Sequence, residues 1–238
     1  MATSGSTDFT LTRDDIIKGA LRALEVLRSG STPPASEIQD AAQALNLIIK
    51  SWMSPSNRFS DSFKAYSLEE KILTLSAKQK FSLKPTGGDM DVAIPVGISS
   101  AFRRTTDSID SPMSPMTIEE YRSIGDKTAT GTPTKWHYER HVTEGTLFLN
   151  YVPNDITDTI VLYIRREIED VDEAGDNLDF PKEWLRPLKL QLAIDMAPEY
   201  GAEDKIASLG NTLQAAIEDV DSMDRKMVVA YFEPGRED

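Results

Sequence analysis

Apolar residues recur at two different spacings along this chain, and the change of spacing divides it. Ile16, Ile17, Ala20, Leu21, Leu24 and Leu27 follow at intervals of three and four, the stripe of an amphipathic helix. Thr12 stands before them as an N-cap with Asp15 three residues on, so a helix is predicted that ends near Arg28, before Ser29-Gly30-Ser31. Past Pro33-Pro34, Ser36 with Gln39 has the form of a second capping box. The stripe Ala41, Leu45, Ile48, Ile49 and Trp52 follows it. The short linker between the two stripes predicts an antiparallel helical hairpin.

From about Phe63 the period falls to two. Residues 72–75, 81–83, 98–106, 135–141, 146–152 and 159–168 are strand-like, with Leu147, Leu149 and Tyr151 alternating in the fifth. Asn154-Asp155 reads as a hairpin turn between the last two. Residues 117–123 predict a short helix with Thr117 and Glu120 as its capping box. The result is a block of five or six antiparallel strands, the size of a small sandwich or barrel.

Residues 167–179 carry seven acids and no base, and the helical period then returns. The stretch 180–201 reads FPKEWLRPLKLQLAIDMAPEYG. Leu185, Leu188, Leu192 and Met196 form one face, and Leu190, Ala193, Ile194 and Ala197 cover much of the rest. A helix apolar on most sides must be covered on most sides. That places it centrally in a bundle or against another subunit, with Trp184, Leu188, Leu190 and Ile194 as candidate subunit-packing residues. Pro187 either opens this helix after a short first turn or kinks it. A last stripe comprises Ile206, Leu209, Leu213, Ala216, Ile217 and Val220. Beyond it Met227, Val228, Val229, Ala230, Tyr231 and Phe232 form an apolar run that needs a docking site on its own domain or on a partner.

The order of elements predicts an α+β protein: a discontinuous antiparallel helical bundle (1–60 and 180–224) with an inserted antiparallel β-sandwich or barrel domain (61–179) and a C-terminal arm (225–238). Charge adds a constraint. Acids outnumber bases 39 to 26, a formal net charge of −13, which opposes nonspecific binding to a phosphate backbone. Without cysteine, disulfides and thiolate chemistry are excluded. No stretch approaches the roughly 20 apolar residues of a membrane span. The start, MATSGSTDFT, lacks the basic and apolar regions of a signal peptide, which predicts a protein made and used without export.

Candidate chemistry is sparse. His137 and His141 are the two histidines, in a strand-like run where four residues span about 13 Å, too far for one metal to take both. Asp170-x-Asp172-x-Ala174-Gly175 has the start of a calcium loop. Its fifth position is Ala, and its twelfth is Pro181 where a bidentate Glu is needed, so it reads as a solvated acidic loop. Arg103-Arg104 reads as a solvated strand end. No nucleophile elbow, phosphate loop or zinc-protease motif is present, and carboxylate pairs are too abundant to inform. The reading is non-enzymatic, with no catalytic, cofactor or metal residue. Two rivals are a glycan- or protein-binding β-sandwich on a helical stalk, using Trp136, Tyr138 and Tyr151, and a hydrolase using two carboxylates.

Three segments together resemble the head-to-tail adaptor (connector, or tail-tubular) proteins of short-tailed bacteriophages. The first is Asp14-Asp15-Ile16-Ile17-x-x-Ala20-Leu21-Arg22-x-Leu24, followed by Ala41-x-x-Ala44-Leu45-Asn46-x-x-Ile49-x-x-Trp52. The second runs from Phe81 to Pro95 and through Met116-Thr117-x-Glu119-Glu120-Tyr121 to Gly131-x-Pro133. The third runs from Pro181 to Gly201 and ends Ala197-Pro198-Glu199-Tyr200-Gly201. The likeness covers about residues 9–210 and favours the larger, tail-tubular kind. It implies a virion structural protein at the capsid vertex, assembled from host cytoplasm into a ring, commonly of twelve subunits. Its implied partners are copies of itself, the portal protein, the tail nozzle and packaged double-stranded DNA, which passes through the lumen without sequence-specific binding. No membrane is implied. Met227, Val228, Val229, Tyr231 and Phe232 would form the portal-binding arm.

Overall fold

The computed structural model describes residues 5, 6, 8–53 and 67–224, with side chains described as far as residue 220. In chain order the elements are α1 (Arg13–Ala23), α2 (Ala35–Trp52), β1 (Leu68–Thr74), β2 (Lys80–Lys84), β3 (Met90–Asp91), β4 (Gly97–Arg104) and β5 (Asp110–Pro115). Then come α3 (Ile118–Ser123), β6 (Thr130–Gly131), β7 (Lys135–Arg140), β8 (Gly145–Leu149), β9 (Val152–Pro153) and β10 (Thr159–Arg165). A 3₁₀ turn (Lys182–Trp184) leads into α4 (Leu185–Met196), and a second (Glu203–Lys205) into α5 (Ile206–Asp224). The protein is α+β with a barrel-like sheet. It separates into two compact units, Met1–Ser51 with Asp170–Asp238, and Trp52–Glu169. The acidic residues 170–179, expected with the strands, belong with the helices.

In the helical unit, Thr12 and Asp15 form the predicted reciprocal capping box. Hydrogen bonds from Thr12 hold the Asp15 carboxyl below the usual carboxylate range. The helix ends at Ala23, five residues before the predicted stop, in a Schellman motif. Val26 N–H donates to Leu21 O and Glu25 N–H to Arg22 O, with Glu25 at φ 62°. α2 starts at Ala35, with Ile38 N–H donating to Pro34 O, so Ser36 lies inside the first turn rather than at the N-cap. Its stripe is buried as predicted, with Ala41, Leu45, Ile48, Ile49 and Trp52 all nearly inaccessible.

α4 packs on α1 and on α5. Leu188, Leu192 and Ala193 are wholly buried, and Leu190 and Met196 nearly so, so cover comes from several sides. Pro187 lies in the first turn of α4, where an N–H would have no intrahelical acceptor, so it does not kink the helix. At the other end Pro198 has no N–H to continue the ladder, and Gly201 turns the chain at φ 65° into the segment before α5.

The second unit holds an eight-stranded sheet ordered β1-β10-β4-β5-β7-β8-β2-β3, and a small pair, β6-β9. It is mixed, because β5 with β7, β2 with β3, and β6 with β9 run parallel. The expected hairpin between the last two long strands is absent. β8 pairs with β7 and β2, whereas β10 pairs with β1 and β4. Asp155 instead accepts the Thr157 N–H and hydroxyl, closing a local turn that depresses its own pKa. The unpredicted β5 reads Asp-Ser-Pro-Met-Ser-Pro and points only Met113 firmly inward. Leu73, Phe81, Leu83, Leu147, Leu149, Ile160, Leu162 and Ile164 form the core. Outside it, Met116, Tyr121 and Phe148 make a second cluster that seats α3 through the predicted Thr117–Glu120 capping box.

Candidate functional site

The residues singled out for chemistry are occupied structurally. His137 in β7 and His141, just past the end of that strand, flank Glu139, each with Nε2 at 3.7 Å from one of its carboxylate oxygens. His137 Nδ1 donates to Met116 O at 2.9 Å, since a carbonyl only accepts. Among the described residues no group of three or more His, Cys, Asp or Glu is placed to hold a metal ion. Arg103 and Arg104 are not solvated strand ends. Arg103 pairs with the buried Asp158 at 2.6 Å, and Arg104 grips Asp110 through two nitrogens at 2.7 and 2.8 Å.

The three aromatics proposed as a glycan platform do not share an exposed face. Trp136 is buried, its indole N–H on Met113 O. Tyr138 donates to Pro95 O at 2.8 Å, and burial pushes its pKa up to about 12. Tyr151 alone is well exposed, leaning over Gly131. Of the candidate subunit-packing residues, Trp184, Leu188 and Leu190 are buried within the single chain and offer little to a neighbour. Ile194 is half-buried. The candidate arm Met227, Val228, Val229, Tyr231 and Phe232 lies outside the described residues.

A groove of about 480 Å³ lies in the helical unit, where the acidic segment crosses α1 and α2. Lys50 anchors Asp170 at 2.8 Å. One turn back along α2, Asn46 takes hold of the backbone of Val171. Its Oδ1 accepts the Val171 N–H at 3.1 Å, and its Nδ2 donates to Val171 O at 3.5 Å. The chain then turns toward α1. Asp176 caps the turn by accepting the N–H groups of Asp172 and Glu173, Arg13 donates to Asp172 O, and Arg13 N–H donates to Asp176 O at 2.9 Å. A bridge between Thr12 and Asn177 completes the attachment. The acidic loop is therefore tied to α1 and α2 by side-chain and main-chain bonds to its backbone and by the Lys50–Asp170 ion pair, rather than left to solvent. Asn46 and Arg13 carried no predicted role here. The available signal was the line of amides Gln39, Gln43 and Asn46 along one face of α2, beside its apolar stripe.

Compared with known proteins, the sequence matches no family model and no curated protein.

Proposed function

We propose that this chain is a non-enzymatic virion structural protein, the adaptor ring that joins the portal to the tail nozzle of a short-tailed bacteriophage and extends its DNA channel. The observation that carries the reading is the order of the three resembling segments across the division of the chain. The first and third lie in helices of one discontinuous unit, and the second lies in the β unit between them. The finer architecture belongs to the same proposal: a discontinuous antiparallel helical bundle bearing the inserted domain, with about twelve copies closing a ring through heterologous contacts.

The charge distribution supports it. The residues of the helical unit hold 23 acids and 12 bases, a balance of −11, and those of the β unit 16 and 14, a balance of −2, together the −13 of the whole. An acidic wall lets a phosphate backbone pass without adhering. Residues 225–238 act as the arm that docks on the portal.

The test mixes the purified chain with its portal and images the particles by electron microscopy. A ring seated beneath the portal is expected, and its absence at saturating protein refutes the assignment. A chain truncated after Asp224 is expected to keep its fold and to bind the portal more weakly. Full-strength binding by that chain removes the arm from the proposal while leaving the ring.

A further inference from the structure

Along α2, Gln39, Gln43 and Asn46 fall at intervals of four and three, one above another on a single helix face lining the groove. Asn46 is engaged as an amide clamp on both the N–H and the C=O of one residue in a non-helical stretch of backbone. From Asp170 at Lys50 to Val171 at Asn46, the chain runs antiparallel to α2, toward Gln43 and Gln39. It leaves the helix after one rung, because Asp176 and Arg13 draw it toward α1. Gln43 and Gln39 are exposed on the continuation of that line. Their rise along the helix, about 6 Å, is close to the roughly 6.7 Å spanned by two residues of an extended chain. A second strand continuing the track would present a peptide group to each amide.

Charge specifies what that strand carries. Arg13 lines the groove but is 12 % exposed and committed to Asp14 and to Asp172 O. The Asp172 carboxylate, also on the rim, has no cationic partner among the described residues, and the unit around it is strongly acidic. Ala35, Ile38 and Ala42 line the groove with uncharged, apolar side chains, so the inward positions suit apolar residues such as Ala.

We propose that this groove is a backbone-reading site for an extended, basic segment of a partner polypeptide, with Gln39 and Gln43 as the open rungs of a ladder whose last rung is Asn46. The inference stands apart from the adaptor reading and needs no ring.

The test uses the full chain and an eight-residue blocked peptide alternating Ala and Lys, with the Ala–Glu peptide as control, followed by NMR through the side-chain amide signals of Gln39, Gln43 and Asn46 in the parent and through that of Asn46 and the backbone N–H groups of positions 39 and 43 in the variant. Saturable shifts of those signals are expected with the Lys peptide and none with the Glu peptide. The double variant Q39A/Q43A, two exposed positions that leave the fold intact, is expected to weaken binding about tenfold, as loss of two modest hydrogen bonds requires. Three outcomes overturn the proposal: no saturable shift, equal binding of both peptides, or binding unchanged in Q39A/Q43A, which would mean general attraction to an acidic protein.

Discussion

Tyr138 and Gly145 lie diagonally across β7 and β8, and each explains the other. A Cβ placed on Gly145 would sit 2.3 Å from the Tyr138 hydroxyl oxygen and within 2.8 Å of its ring, so only glycine lets the ring lie there. The ring in turn covers the backbone that glycine leaves bare, and its hydroxyl reaches Pro95 O. Gly145→Ala must push the ring off its hydrogen bond, and we expect a loss of about 2–3 kcal/mol, overpacking plus one broken bond. Tyr138→Phe should cost about 1 kcal/mol, and in that background Gly145→Ala should cost less than in the parent, because the closest atom is gone. Urea unfolding of the four proteins checks the cycle; additive losses would show that the two residues do not share one contact. The same tyrosine sets an alkaline limit. Its folded pKa of about 12 lies above the ordinary value of about 10. The stability linked to its neutral form is therefore complete below pH about 10 and lost as pH rises toward 12. Tyr121, Tyr163 and Tyr200 are also held above the ordinary value, so a tyrosinate absorbance titration should show several late groups, and Tyr138→Phe should remove the one that titrates at about 12.

At the scale of elements, what the sequence disclosed depended on how local each signal was. Capping boxes and apolar stripes are decided within four residues, which is why α1, α2, α3 and the long strands were readable. Strand pairing is decided between segments far apart. β8 and β10, adjacent in sequence and each well patterned, joined different neighbours, and β5 with two prolines was invisible to periodicity. Its partners are β4 and β7, whose pairing supplies what its own propensity lacks. The groove was hidden for the same reason, since Asn46 meets Val171 across 125 residues. The early end of α1 is another such case, because the sequence offers Glu25 where Gly is usual. The left-handed backbone there disfavours a side chain with Cβ, and the ion pair from Lys205 to the exposed Glu25 carboxylate at 2.6 Å returns little. Glu25→Gly should therefore raise stability by about 0.5 kcal/mol, and Glu25→Val should lower it by at least as much. Chemical unfolding followed by helical circular dichroism measures both; a destabilised Gly variant would mean that the ion pair outweighs the backbone term.

For the molecule as a whole, the path of the chain through the β unit allows a decisive experiment. β1 enters and β10 leaves as adjacent antiparallel strands, with Leu68 opposite Arg165 and Arg166 N–H donating to Ser67 O. Both connections thus emerge at one end of the sheet, and cutting there removes no ladder bond. The core residues Leu73, Phe81, Leu147, Ile160 and Leu162 all lie within the unit. Among the described residues β1 pairs with β10 alone, and it is a guarded edge. Glu69 and Lys71, joined at 2.7 Å, share a face with the buried Leu73 and oppose pairing with a foreign strand. A fragment of residues 67–169, roughly 100 residues, is within the usual size of an independent domain. We expect it to be monomeric in gel filtration, to show β-type circular dichroism and to melt in one cooperative transition. It should also lack portal binding if the C-terminal arm supplies that contact. A fragment that is collapsed, aggregated or without a cooperative melt would mean that the strands depend on the helices for their stability. The two units would then fold only together, and a graft of this β unit onto an unrelated helical scaffold should fail in the same way.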